Sequence, residues 1–278
     1  MLLSSAANAQ RKRAFLVGIS HYDQALTSYQ WNNINGVEDV NLLSPILRKQ
    51  GFATTTLLDE QATFEHIVRQ ITQFTDKTKK GDIVYLHFSA HGQPIEDLNG
   101  DEEDGWDESI VPIDACKYYK KGNYEGEKHL TDDLLNKYIK MLREKIGPTG
   151  FLYVTIDACH AGTASRANNE SVRGTYVGFT YNNKVFKPSM SKKSHYRIDT
   201  SSKQSNVVFL EACRPDQVNT EIKIDGKRFG PLSYNIAKAL SCFTLTTNAK
   251  EFIEEIKRSM MEAGRWPNNQ NLVTETSY

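Results

Sequence analysis

Five short apolar runs, each separated from the next by a helical or polar stretch, constrain this chain more than any other feature. Residues 14–19 (AFLVGI), 82–89 (DIVYLHFS), 151–156 (FLYVTI) and 206–212 (NVVFLEA) are too continuous in hydrophobicity for half-exposed strands, and 52–58 (FATTTLL) reads as a further strand. The continuous runs suit parallel strands covered on both faces. Between them lie helical patterns. Val37, Val40, Leu43 and Leu47 share one face of a helix over 36–50, which Gly51 ends. Phe64, Ile67, Ile71 and Phe74 form a stripe over 63–75. Thr131 opens a third helix carrying Leu135, Tyr138, Ile139 and Leu142. Residues 231–243 and 249–263 also read as helical. The alternation predicts an α/β fold, with a mostly parallel sheet between two helical layers. Residues 93–108 read as a polar loop, and 162–205 lack any sustained period.

Composition narrows the function by exclusion. Lys plus Arg and Asp plus Glu number 34 each, so formal charge is zero, which gives no electrostatic reason to expect nucleic acid or an anionic membrane as partner. The four cysteines, Cys116, Cys159, Cys213 and Cys242, are far apart and form no CxxC, arguing against a zinc site or thioredoxin-type pair. No run is long enough to span a bilayer, and no phosphate loop is present. Residues 1–12 read as an N-terminal extension. Ala7-Asn8-Ala9 has the small-x-small form of a signal-peptidase site, so the expectation is an exported protein, the alternative being a cytoplasmic one. A folded domain is expected over 13–278.

The chemistry gathers at two strand ends. The third apolar run ends in Ser89-Ala90-His91-Gly92 and the fourth in Asp157-Ala158-Cys159-His160. Ligands of open α/β sheets bind beyond the carboxyl ends of the strands. Neighbouring strands would bring an imidazole to a thiol, the pairing that thiolate catalysis needs. Alone, Cys159 would read as a small buried hydrophobe and His91 as a structural residue; each beside a small-residue turn, at equivalent strand ends, they point to nucleophilic catalysis. His160 follows Cys159 directly and points to the opposite face, so it is a poor base for its neighbour. Cys213, ending the fifth run without a histidine nearby, reads as structural.

The blocks SAHG and DACHAG resemble those of the caspase-like cysteine peptidases, most closely the metacaspase branch with its bacterial members. The segments KRAFLVGISHY, NGVEDVNLLSPIL, GDEEDGWDESIVPID, EACRPDQVNTE and RFGPLSYNIAKAL extend the resemblance over about residues 13–271. Ala90 and Ala161 stand where that branch usually has Gly and Ser. The resemblance implies a caspase-like fold with a six-stranded, mostly parallel sheet and helices on both faces. Its parts would be large-subunit-like over 13–165, a flexible linker over 166–205, and small-subunit-like over 206–278. It implies Cys159 as nucleophile and His91 as general base. It also implies a pocket for Arg or Lys at P1, the residue before the cut bond, lined by Asp157, Asp39 and Ser89, with Gly92 beside it.

Two further expectations concern regulation. Asp97, Asn99, Asp101 and Glu108 occupy positions 1, 3, 5 and 12 of an EF-hand-like count. Glu102 holds position 6, where an EF-hand requires Gly, so the expectation is a calcium site of another geometry. The chemistry itself requires no cofactor. Arg166, Arg173, Lys192 and Lys193 are candidate self-cleavage points in the irregular segment. By resemblance the protein is expected to be a monomer acting on peptides or proteins. Two alternatives stay open: a catalytically silent caspase-like binding module, and another cysteine-dependent acyl-transfer enzyme.

Overall fold

A computed structural model of the chain describes residues 10–22, 31–102, 104–159, 172–187, 198 and 201–278. The possible leader, His160 and the candidates Arg166, Lys192 and Lys193 lie outside the described residues.

A six-stranded sheet forms the centre. Its strands are β1 (Lys12–Gly18), β2 (Phe52–Leu58), β3 (Ile83–Ser89), β7 (Phe151–Asp157), β8 (Asn206–Glu211) and β11 (Val273–Thr276), in the order β11-β8-β7-β3-β1-β2. Every pairing is parallel except that of β11 with β8. The central strands β3 and β7 are buried at every residue, which explains their uninterrupted apolar sequences. Alternation along β1 distributes its side chains between two cores. Phe15 and Val17 join the core under α2 (Phe64–Lys77) and α3 (Asp132–Ile146). Ala14 and Leu16 join the core under α1 (Gly36–Lys49), α4 (Pro231–Cys242) and α5 (Lys250–Met260). The expected caspase-like α/β architecture is present. Among the described residues, no helix is long and apolar enough to cross a membrane.

The structure corrects the sequence reading at one point. Residues 93–108 are not a single loop: β4 (His91–Glu96) pairs antiparallel with β5 (Trp106–Val111), and β5 with the short β6 (Leu130–Thr131). Asp107 and Glu108 disguised β5, because a strand carrying two carboxylates lacks the apolar signature, yet all six of its residues are buried. A second small ribbon joins β9 (Ile222–Ile224) to β10 (Lys227–Phe229).

Candidate active site

Strands β3 and β7 run in register, with Ser89 opposite Asp157. His91 and Cys159 therefore each lie two residues past the same sheet edge. Gly174, from the segment after Cys159, bridges to both Gly92 and Cys159.

The imidazole sits in an aromatic slot. Its ring stacks on Trp31 with centroids 5.0 Å apart and lies 4.8 Å from Tyr22. Nε2 is 2.8 Å from the Asn32 carbonyl, which can only accept, so Nε2 carries the proton and Nδ1 the lone pair. Nδ1 is buried without a hydrogen-bond partner among the described residues. Burial pushes the His91 pKa down to about 3, against the Asn32 bond that favours the charged form. The ring is thus neutral at ordinary pH. Tyr22, whose hydroxyl accepts from the His91 N–H at 3.1 Å and donates to the Val111 carbonyl at 2.8 Å, fixes the backbone here.

Cys159 is buried, with its thiol donating to the Gln217 carbonyl at 2.9 Å. Cys213 lies against it, and that contact together with burial pushes the Cys213 thiol well up. Glu108 is buried near Cys159; burial first, then the carboxylates of Glu211 and Asp132, raise its carboxyl well above the ordinary range.

Two carboxylates form the floor of a pocket next to the thiol. Asp157 accepts from the Ser233 N–H at 2.7 Å, the Ser233 hydroxyl at 2.6 Å and Asn219 Nδ2 at 2.7 Å. Asp39, in the first turn of α1, accepts from the Ser89 hydroxyl at 2.8 Å and the Gly230 N–H at 3.0 Å. Both thus touch the start of α4, whose orphan N–H groups and positive dipole end favour negative charge. Gly230 must be glycine: a Cβ there would collide with the Asp157 carboxylate. Burial pushes the Asp39 carboxyl up to about 7, with the Arg173 guanidinium opposing.

Arg173 fills this pocket. Its side chain is fully buried, with Nη1 2.7 Å from Asp39 Oδ2, 2.6 Å from Ser89 Oγ and 3.8 Å from Asp157 Oδ1. Nη2 lies 2.8 Å from Glu221 Oε1 and Nε 3.2 Å from the same oxygen. The three carboxylates hold the guanidinium protonated despite its burial. The backbone of Arg173 is held as well. Its N–H donates to the Asn219 carbonyl at 3.0 Å, and Val172 bridges antiparallel to Thr220. Its carbonyl accepts from the N–H groups of Cys159 at 2.8 Å and Gly92 at 3.3 Å. Gly174 packs so closely on the Cys159 carbonyl that no Cβ would fit. A basic side chain in an acidic pocket and a carbonyl on two N–H donors beside a thiol are what a peptide bond about to be cut requires.

The sequence reading placed Asp39, Asp157, Ser89 and Gly92 here. It missed Glu221, Asn219, Tyr22 and Asn32 as site residues. The stretch NTE after Cys213 was a clue, since buried acidic residues are rare without a partner. The proposed calcium set is assembled differently. Carboxylate oxygens of Asp97, Asp101 and Asp107 lie within 4.8 Å of one another. Asn99 is occupied, its Oδ1 accepting from the Asp101 N–H and its Nδ2 donating to Asp133. Glu108, next to Asp107 on β5, points to the opposite face of the strand. Asp107 has a buried Oδ1 with no hydrogen-bond partner among the described residues, so it has an atom to offer the cluster.

Fold and site together define a caspase-like sheet that carries a thiol, an imidazole and an acidic pocket at one edge. The comparisons with known proteins agree. The family model described as "Caspase domain" matches residues 11–273. Metacaspase-1A of Aspergillus niger is 24% identical, covering 83% of this chain and 62% of its own length. Metacaspase-1 of Meyerozyma guilliermondii is 24% identical, covering 88% and 67%. Metacaspase-1B of Aspergillus fumigatus reaches 33% over a shorter match, 55% of this chain and 36% of its own. The chain thus spans about three-fifths to two-thirds of the first two relatives' length. Among solved structures, a protein from Geobacter sulfurreducens superposes with a TM-score of 0.63 at 22% identity, covering 96% of this chain and 93% of that one. Caspase-1 from Spodoptera frugiperda gives 0.55 at 14%, covering 96% and 86%. The chain belongs to the caspase-domain family, and its named relatives are metacaspases.

Proposed function

We propose that this protein cleaves peptide bonds after Arg or Lys, with Cys159 as nucleophile and His91 as base, and that Arg173–Gly174 is its self-processing bond. The observation that carries the reading is Arg173, whose guanidinium meets Asp39 and Ser89 while its carbonyl accepts from the Cys159 and Gly92 N–H groups. The segment lies in the cleft as a substrate would.

The reaction follows from these groups. The thiol leaves the Gln217 carbonyl and passes its proton to His91 Nδ1. The thiolate attacks the P1 carbonyl carbon, and the two N–H groups bear the charge that develops on oxygen. The C–N bond breaks as the imidazolium protonates the departing amine, leaving a thioester at Cys159. Water, deprotonated by His91, hydrolyses the thioester, releasing the acid and restoring the thiol. Asp39 and Asp157 bind and orient the P1 cation. The large-subunit-like and small-subunit-like parts would be joined by the segment that is cut, and the protein would act as a monomer.

Calcium enters as a regulator. Asp97, Asp101 and Asp107 fit a hard cation, because oxygen ligands converge there and Asp107 Oδ1 has no other partner among the described residues. Bound calcium would neutralise the crowded carboxylates of the β4–β5 loop and takes no part in the proton transfers.

The test is hydrolysis of matched fluorogenic peptides ending in Arg, Lys or Asp, with and without calcium, beside a Cys159→Ala control. Cleavage after Arg or Lys, abolished in the control, is expected. Turnover of the Asp peptide at a comparable rate would overturn the reading.

A further inference from the structure

We infer that Glu221 is the residue by which this pocket selects arginine over lysine. The inference rests on the reading that the cavity holding Arg173 is the P1 pocket. The guanidinium there is gripped from two sides. Nη1 faces Asp39 and Ser89, at 2.7 and 2.6 Å. Among the described residues, Nε and Nη2 face only Glu221, at 3.2 and 2.8 Å to one oxygen. The two sides come from different parts of the chain. Asp39 and Ser89 belong to α1 and β3, whereas Glu221 lies between β8 and β9.

Glu221 is also held by contacts that do not involve the cation. Oε1 accepts from the Asn35 N–H and Oε2 from Asn35 Nδ2, both at 2.7 Å. Its side chain is fully buried, so it gains little from water. An arginine fork reaches both sides at once because its donors are spread over a rigid plane. A lysine ammonium is one compact centre. It settles against the side with more negative charge, where Asp39, Asp157 and Ser89 converge, and leaves Glu221 without a charged donor. Arginine thus gains two charge-assisted bonds, while lysine leaves a buried carboxylate uncompensated. The asymmetry predicts a preference for arginine of about tenfold to a hundredfold, the worth of one hydrogen bond to a charged group.

The experiment measures kcat/KM for two peptides identical except for Arg or Lys at P1. It uses the full chain, Glu221→Gln and Glu221→Asp, with melting temperatures confirming that each is folded. Glu221→Gln keeps the shape and removes the charge. It is expected to bring the Arg-to-Lys ratio close to one, chiefly by loss of turnover on the Arg peptide. Glu221→Asp keeps the charge but withdraws it by one methylene, and an intermediate ratio is expected; this variant decides the matter if Glu221→Gln fails to fold. Equal losses on both peptides, leaving the wild-type ratio unchanged, would overturn this inference while leaving the basic-P1 reading intact. Cleavage of neither peptide by the folded wild-type chain would overturn both.

Discussion

Removing Arg173 tests the pocket most directly, because the side chain is the sole cation seen against Asp39, Asp157 and Glu221 among the described residues. The comparison is best made in a Cys159→Ala background, so that neither chain can be nicked. Breaking a buried ion pair by deleting one partner costs about 3–5 kcal/mol, because the remaining charge stays buried and uncompensated. At about 2–3 °C per kcal/mol for a chain of this size, Arg173→Ala should melt roughly 6–15 °C lower by differential scanning fluorimetry. The sign of the pH dependence follows from Asp39, already pushed up to about 7 with Arg173 in place. Without the opposing guanidinium the Asp39 carboxyl holds its proton still more tightly, above the unfolded value. A group whose folded pKa is raised in this way favours the folded state at low pH and loses that contribution as pH rises through the folded pKa. The deficit of the variant should therefore be smallest near pH 5 and grow through pH 7. Methylguanidine at a hundred times its dissociation constant should return about 2.7 kcal/mol by mass action, whereas neutral methylurea should return none. An unchanged melting temperature, or equal rescue by the two additives, would refute the claim that these carboxylates form a cation pocket.

Other expectations follow from neighbouring contacts. Gly174→Ala should dislodge the Arg173–Gly174 segment, since a Cβ collides with the Cys159 carbonyl; intact-mass analysis should show slower self-cleavage at that bond. His129 is buried between Tyr124 and Gln93, and burial lowers its pKa to about 4. Being neutral when folded, it loses stabilising influence as pH falls below the unfolded value, by about 2 kcal/mol at pH 5. The stability advantage of wild type over His129→Gln should shrink by that amount between pH 7 and 5 in paired denaturant titrations. Asp107→Asn should abolish any rise in melting temperature that calcium gives the wild type. A full calcium response in that variant would remove Asp107 from the cation site.

What the sequence determined by itself was the sheet and its chemistry-bearing edge. The runs that became β1, β3, β7 and β8 were legible because their apolar content follows from burial on both faces; β2, the edge strand FATTTLL with only Phe52 and Leu57 buried, was legible from its β-branched residues. The ends of β3 and β7 were legible because reactive and small residues interrupt those runs abruptly. β5 was not, since its carboxylates are buried by the hairpin and α3, which no local pattern records. Nor could sequence choose among the four basic residues that were candidates for self-cleavage. The proposal for Arg173 rests on tertiary placement alone, since its side chain lies among carboxylates from α1, β7 and the β8–β9 connection. The ring orientation of His91 likewise depends on Asn32, 59 positions away. Periodicity reports how a segment meets its immediate layer. Charge clusters and tautomers are decided by residues distant in sequence, so the tertiary structure alone could assign them.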